Sequence, residues 1–428
     1  MKPTLTIANA QVYLGNNLDV LPTLADSSVD AIVTDPPYEL GFMGKSWDNS
    51  GIAYSVELWT ECLRVLKPGG HLLAFGGTRT WHRLAVAIED AGFEIRDNIA
   101  WLYGSGFPKS HNISKAIDKT AGAEREVIGK SKRHGGGTMQ GHSFQVSPKI
   151  PDITASATDE AKAWDGWGTA LKPAHEPIVV ARKPVIGTVA ENVLKHGTGA
   201  INIDATRIGT ETIIINTFDN GAKPFGNAVG EPYTSKQSEG RWPANIILDE
   251  YTAELLDEQA PDVGGSKGAR HHKGTPDITP AGHKWGLKPT TTFGHNDTGG
   301  ASRFFYVAKA SKRDRNEGLD ELPEVRHADR NVTDGVGGDN PRNRTNQAKQ
   351  NFHPTVKPTA LMQYLIRLVT PENGVVLDPF AGSGSTGKAA ILENKRFIGI
   401  ELTAEYLPII EGRLTHAYET VRNNEQIP

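Results

Sequence analysis

The chain of 428 residues is long enough for two or three domains, and its 37% apolar content with 46 Gly and 26 Pro points to long irregular stretches around a smaller ordered core. One cysteine, Cys62, excludes a disulfide framework and a Cys-rich zinc site, and no apolar run approaches the roughly 18 residues of a membrane-spanning helix. The net charge of -4 gives no global basic surface for nucleic acid, so any such contact must come from local basic faces.

Residues 1–118 read as alternating strands and helices. VYLGNN and VDAIVTDPPY are short β-branched runs ending in turn chemistry, and VELWTECLRVL has helical spacing, with Pro68-Gly69-Gly70 as its stop. HLLAFGG reads as a buried strand, RTWHRLAVAIEDAG as a helix closed by Gly92, and NIAWLYG as a strand. Such alternation predicts a parallel, doubly wound α/β sheet. Residues 119–172 form an irregular insertion, and HEPIVVARK, within 173–183, is a strand returning to the first unit. From 184 to 350 the chain is rich in Gly, Asn, Thr and His, with ordered islands at RWPANIILD and SRFFYVAKASK. Between Asp262 and Lys349, fifteen Lys/Arg face eleven Asp/Glu, with five His besides. Order returns over 351–428 as the helix PTALMQYLIRLV, the strand GVVLDPF, a Gly-rich turn, the helix KAAILENK, the strand RFIGIEL and a last helix from AEYLPIIEGRL onward.

The turn Asp378-Pro379-Phe380-Ala381-Gly382-Ser383-Gly384-Ser385-Thr386-Gly387-Lys388 lies between strand and helix, where backbone N–H groups can approach a ligand. Gly382, Gly384 and Gly387 fit the dinucleotide pattern GxGxxG, and Gly382 to Lys388 fit the start of a phosphate-binding P-loop. Ala389 stands where a P-loop needs a magnesium-binding hydroxyl, which argues against that reading. The third reading is S-adenosylmethionine, with Asp378 beside the turn and Glu401, ending the next strand, for the ribose hydroxyls. A ligand-free structural turn is the plain alternative.

Thr34-Asp35-Pro36-Pro37-Tyr38 ends the strand AIVT. Its two prolines leave carbonyls free to accept from a ligand. The Asp35 carboxylate and Pro36 carbonyl, placed on the hydrogens of an exocyclic base amine, would draw its nitrogen toward tetrahedral geometry. Tyr38 offers a face on which an extruded base can stack. An ordinary strand-ending turn with a core tyrosine is the competing reading.

These motifs, with His353-Pro354-Thr355-Val356-Lys357-Pro358 about 20 residues before the Gly-rich turn, resemble the amino-methyltransferases of DNA. Their order resembles the beta class of that family, and GRWPANIILD and FPKSHNISKAIDK are similar to stretches of phage and prophage methylases. The resemblance implies a doubly wound Rossmann-like sheet interrupted by a large irregular target-recognition region. It also implies S-adenosylmethionine as methyl donor, duplex DNA as substrate and adenine N6 as the target, reached by base flipping. N4-cytosine is the alternative, since those members more often carry Ser at the position of Asp35. It places His353, Thr355, Lys357, Asp378, Phe380, Gly382, Ser383, Gly384 and Glu401 around the donor, and Asn16, where the family has Gly-Asp, near its adenine. A homodimer, a cognate restriction endonuclease and a bacterial or phage-infected cytoplasm fit the same resemblance. RNA or protein methylation, for which Asn-Pro-Pro-Tyr is commoner, and an inactive DNA-binding module are the rivals.

Phe42, Lys45 and Trp47 could close over a flipped base, with Lys45 on phosphate. Lys309, Lys312, Arg313 and Arg315 form a charge run suited to phosphate contact or to a solvated face. His271 and His272 lack companions for a metal site, and none is expected.

Overall fold

The computed structural model describes residues 1–40, 49–106, 110–130, 152–217, 234–262, 269–272, 290–293, 298–309, 312–324 and 350–425. Ten strands share the main sheet: β1 (Leu5–Ile7), β2 (Ala10–Leu14), β3 (Val29–Thr34), β4 (Leu66–Phe75), β5 (Glu94–Leu102), β6 (His175–Arg182), β7 (Ile246–Asp249), β8 (Tyr306–Ala308), β9 (Val375–Asp378) and β10 (Arg396–Glu401). Their order across the sheet is β1-β2-β10-β9-β3-β4-β6-β5-β7-β8. Neighbours from β2 to β4 are parallel, β6 runs against both of its neighbours, and β1 is an antiparallel edge.

Side chains alternate between two cores, as strand geometry requires. Ala31, Val33, Leu73 and Phe75 face one, with helices Thr359–Val369, Ser385–Leu392 and Leu407–Glu425. Ile32, Leu72 and Ala74 face the other, with helices Val56–Val65 and Trp81–Asp90. The expected doubly wound α/β sheet is therefore present. From β9 the chain crosses to β10 on one side, and from β3 to β4 on the other. Because β9 and β3 are adjacent, the winding reverses between them and a crevice opens at their carboxyl ends.

Helix Val56–Val65 begins at Ser55, whose side chain accepts from Leu58 N, and buries Leu58, Trp59, Cys62 and Val65 along one stripe. It ends before Pro68-Gly69-Gly70, which lies inside β4 as a register irregularity against β3 rather than as a separate turn. Gly69 has φ +78°, and the Asn192 amide donates to Pro68 O at 2.9 Å, so the bulge is pinned from a helix much later in the chain.

The two ordered islands of the middle segment add β7 and β8, parallel to each other and to β5. At four and three residues they are too short for periodicity to register in sequence. Tyr306 of β8 stacks on Tyr364 at 4.0 Å between ring centroids. Among the described residues no helix is long and apolar enough to cross a membrane.

Helix Lys312–Asn316 and the turn after it are fastened to the C-terminal unit by charge. Lys388, only 2% exposed, lies 2.8 Å from both Asp314 and Glu317, and Asp314 also accepts from Thr359 N at 2.8 Å. Lys388→Met would remove the buried cation that Asp314 and Glu317 share, leaving only the more distant Arg413 and Arg313 beside them, and should cost about 2 kcal/mol. Urea denaturation checks this; an unchanged midpoint would mean that the ion cluster does not hold the segment.

Candidate active site at the switch point

The crevice is closed underneath by one carboxylate. Asp378, 2% exposed at the end of β9, accepts from Thr34 Oγ1 and Thr386 Oγ1 at 2.6 Å each and from Phe380 N at 3.0 Å. Burial pushes its pKa up to about 6 against the pull of these hydrogen bonds. Its oxygens thus join the end of β3 to the Gly-rich turn instead of projecting toward a ligand.

Asp35, Pro36, Pro37 and Tyr38 follow directly from β3. Lys357 is brought to them from the other end of the chain: Nζ lies 2.6 Å from Asp35 Oδ2, 3.2 Å from Tyr38 OH and 3.3 Å from Glu176 Oε2. It also sits 4.8 Å from the ring centre of Phe75. Burial lowers the Lys357 pKa, but Asp35 and Glu176 outweigh it and hold the amine above its ordinary value. Tyr38 OH donates to Glu176 Oε2 at 2.8 Å, and burial followed by the two carboxylates raises its pKa well above the usual phenol range. Asp35 Oδ1 is buried with no hydrogen-bond partner. Such an acceptor is costly to maintain.

The Gly-rich turn meets the other predicted motifs. Glu401 accepts from Gly382 N at 2.7 Å and Thr403 N at 2.8 Å, and burial raises its pKa to about 7. The His353 ring packs edge-on to Tyr406, its Nδ1 paired with the Thr355 carbonyl, and burial lowers its pKa to about 4. Gly382 has φ +54°, and a Cβ there would stand 3.1 Å from His353 Nε2, so only glycine keeps this approach without strain. Gly387 has a different reason: a Cβ would meet the Phe397 ring at 2.7 Å. Ser383 is buried, its carbonyl and hydroxyl both accepting from Arg413. Phe380 is half-buried against the second core. Lys388 turns away to Asp314 and Glu317, so the turn lacks the lysine of a phosphate-binding loop.

Other predicted residues fall elsewhere. Asn16 is exposed and caps helix Asn17–Val20, accepting from Leu18 N at 3.0 Å, while Gly15 N donates to Glu401 O at 2.9 Å and keeps this corner beside the turn. Lys357 stands at the catalytic loop rather than with the turn. Arg315, expected on a phosphate-facing surface, is turned inward to the carbonyls of Asn351 and His353. Arg313 and Lys309 are exposed, and Lys312 opens helix Lys312–Asn316. Phe42, Lys45 and Trp47 lie outside the described residues. Glu176 is not singled out by the sequence motifs, although HEPIVVARK, the segment that contains it and forms β6, resembles the family's strand near the target base.

An orphaned acceptor at Asp35, the Gly382 turn and the Glu401 carboxyl stand at the carboxyl ends of the adjacent strands β3, β9 and β10, which fits a cationic methyl donor with ribose hydroxyls. A family model described as DNA methylase matches residues 29–412. A type II methyltransferase, M2.DpnII of Streptococcus pneumoniae, is 47% identical over 68 residues, 16% of this chain and 25% of that one. The DNA adenine methyltransferase YhdJ of Escherichia coli K12 is 45% identical over 76 residues, 18% of this chain and 26% of that one. The match thus spans about a quarter of the length of these curated relatives. Among solved structures, PvuII DNA methyltransferase (cytosine-N4-specific) aligns at a TM-score of 0.44 and 13% identity over 99% of this chain and 95% of that one. The M1.HpyAVI–SAM complex aligns at 0.36 and 16% over 95% and 99%. The chain belongs to the DNA methylase family of N6 and N4 amino-methyltransferases, which use S-adenosylmethionine.

Proposed function

We propose that the protein methylates the exocyclic N6 of an adenine extruded from duplex DNA at a specific sequence. Asp35 Oδ1, buried without a partner in the tetrapeptide Asp-Pro-Pro-Tyr, carries this reading. With the Pro36 carbonyl it forms the acceptor pair that an amine with two hydrogens would satisfy. Lys357 occupies Asp35 Oδ2 at 2.6 Å, which leaves Oδ1 to accept from the amine. The nitrogen becomes acidic once it has formed its fourth bond, and Asp35 Oδ1 takes the released proton. Tyr38 supplies a stacking face, and Glu176 holds both its hydroxyl and Lys357. When bound in the crevice, S-adenosylmethionine supplies the electrophilic methyl group. Gly382, Ser383, Gly384 and Phe380 shape its bed, Glu401 takes the ribose hydroxyls, and His353 and Thr355 wall one side. Asn16 lies at the adenine end. Asp378 acts from beneath by fixing the turn. Asp35, together with the adenine named in YhdJ, favours adenine over cytosine. Residues 184–350 carry target choice.

Asp35→Ala should abolish methylation while donor binding persists. Nucleoside mass analysis of modified DNA should find N6-methyladenine; N4-methylcytosine would overturn the adenine assignment, and label only in RNA or protein the reaction itself. Glu176→Gln keeps the shape but weakens the hold on Lys357 and Tyr38. It should lower kcat about tenfold, or about 1.4 kcal/mol, with donor affinity unchanged.

Glu401 gives a pH signature. Its folded pKa of about 7 lies above the ordinary 4.5, so its proton linkage favours the fold fully below about pH 4.5, and that contribution is lost as pH rises through about 7. Glu401→Gln should therefore gain about 2 kcal/mol over the parent between pH ~4.5 and ~8 by chemical denaturation. Donor affinity of the parent should rise over pH ~6–8 as the acid ionises, and that of the variant should stay flat. Parallel profiles would remove Glu401 from the donor site.

A further inference from the structure

We propose that Leu171 is the side chain that enters the duplex where the extruded base has left its stack. This inference rests on the function proposed above, because only an enzyme that extrudes its target has such a gap to fill. Leu171 is 92% exposed, more than any other large apolar side chain among the described residues. It lies on the strap 166–174 that leads into β6, five residues before Glu176, which is at most about 18 Å of extended chain. His175, the first residue of β6, pairs with Leu102 at the end of β5, so the strap stands at the catalytic edge of the sheet.

The strap is held on both sides of the leucine. Thr169 N and Ala170 N donate to Ser110 Oγ at 2.9 and 3.3 Å, and His111 N donates to Thr169 Oγ1 at 3.0 Å. Beyond the leucine, Lys172 Nζ donates to Gly104 O at 2.7 Å, and Tyr103 N donates to Ala174 O at 2.9 Å. Trp167 O accepts from Ile113 N at 3.1 Å, and the Trp164 and Trp167 rings pack edge-on at 4.9 Å. A backbone fixed in this way positions its side chain before any partner arrives, so binding need not order it. From Gly166 to His175 the sequence has no acid to repel phosphates. Exposure alone does not single out Leu171, since Leu194 is 88% exposed. Leu194, however, belongs to helix Val189–His196, which Asn192 fastens to Pro68 near the start of β4, at the opposite edge of the sheet. A base that leaves its stack strips contact from both neighbours. A branched aliphatic side chain in the gap restores part of that contact and delays the return of the base.

The test compares Leu171→Ala, Leu171→Met and, as a control, Leu194→Ala on a duplex that the parent methylates. Fluorescence of 2-aminopurine in place of the target base reports extrusion, methyl incorporation gives kcat and KM, and anisotropy and calorimetry give duplex and donor affinity. Leu171→Ala should lose most of the fluorescence rise and lower kcat about tenfold, with both affinities within about twofold of the parent. Opposite an abasic site the target is already unpaired, and there the variant should regain the parent's rate. Leu171→Met should behave like the parent on the paired duplex, and Leu194→Ala should be unchanged. A full fluorescence rise in Leu171→Ala, an equal loss of rate on paired and abasic duplexes, or a change of oligomeric state in sedimentation would overturn the proposal. A parent that methylates no DNA overturns the functional reading and this inference together, whereas an active parent with an indifferent Leu171→Ala overturns this one alone.

Discussion

The carboxylate of Asp378 is the constraint on which the rest of the site depends. The catalytic loop and the Gly-rich turn belong to strands 344 residues apart in sequence, and one side chain, donated to by a threonine from each, holds them together. An acid buried this deeply is tolerated because three donors satisfy it; with fewer it would take up a proton and lose its grip. Asp35 follows Thr34 directly, so the hydrogen bond that closes the core also sets where the catalytic carboxylate stands.

Two buried charge clusters flank this clasp, and their difference separates support from chemistry. Around Lys388, two carboxylates meet a buried lysine with Arg413 close by, and the charges balance. Around Lys357, among the described residues, two carboxylates share a single cation, and one Asp35 oxygen is left without a partner. Arg413 Nε of the first cluster is also buried without a partner, so what sets Asp35 apart is that its open atom is a carboxylate acceptor in the catalytic tetrapeptide. An excess negative charge with an open acceptor suits a nitrogen that must become positive and then shed a proton.

Much of the fold was legible because its outer segments are regular. The stripe of helix Val56–Val65, the apolar runs of β3 and β9, and the order of the three motifs each carry a local signal. What stayed hidden is long-range. Nothing local in HPTVKP tells that Lys357 reaches Asp35, 322 residues away, rather than the turn about 20 residues ahead of it. Pro68-Gly69-Gly70 looks like a stop signal because a bulge and a turn use the same residue types, and only the partner strand distinguishes them. The glycines of the turn share one pattern but not one purpose: Gly382 permits close approach to His353, while Gly387 makes room for Phe397.

Glu176 shows why a reading by strand ends missed a member of the site. In a parallel sheet the functional side chains gather at the carboxyl ends, and that rule finds Asp35, Asp378 and Glu401. β6 runs the opposite way, pairing Ile178 with Phe75 at the end of β4 and Glu176 with Trp101 near the end of β5. Its first residues therefore stand at the same edge as the last residues of its neighbours. An acid at the beginning of the one reversed interior strand is geometrically equivalent to an acid at the end of a parallel one. The reversal gives Lys357 its second carboxylate from a strand that the usual rule would pass over.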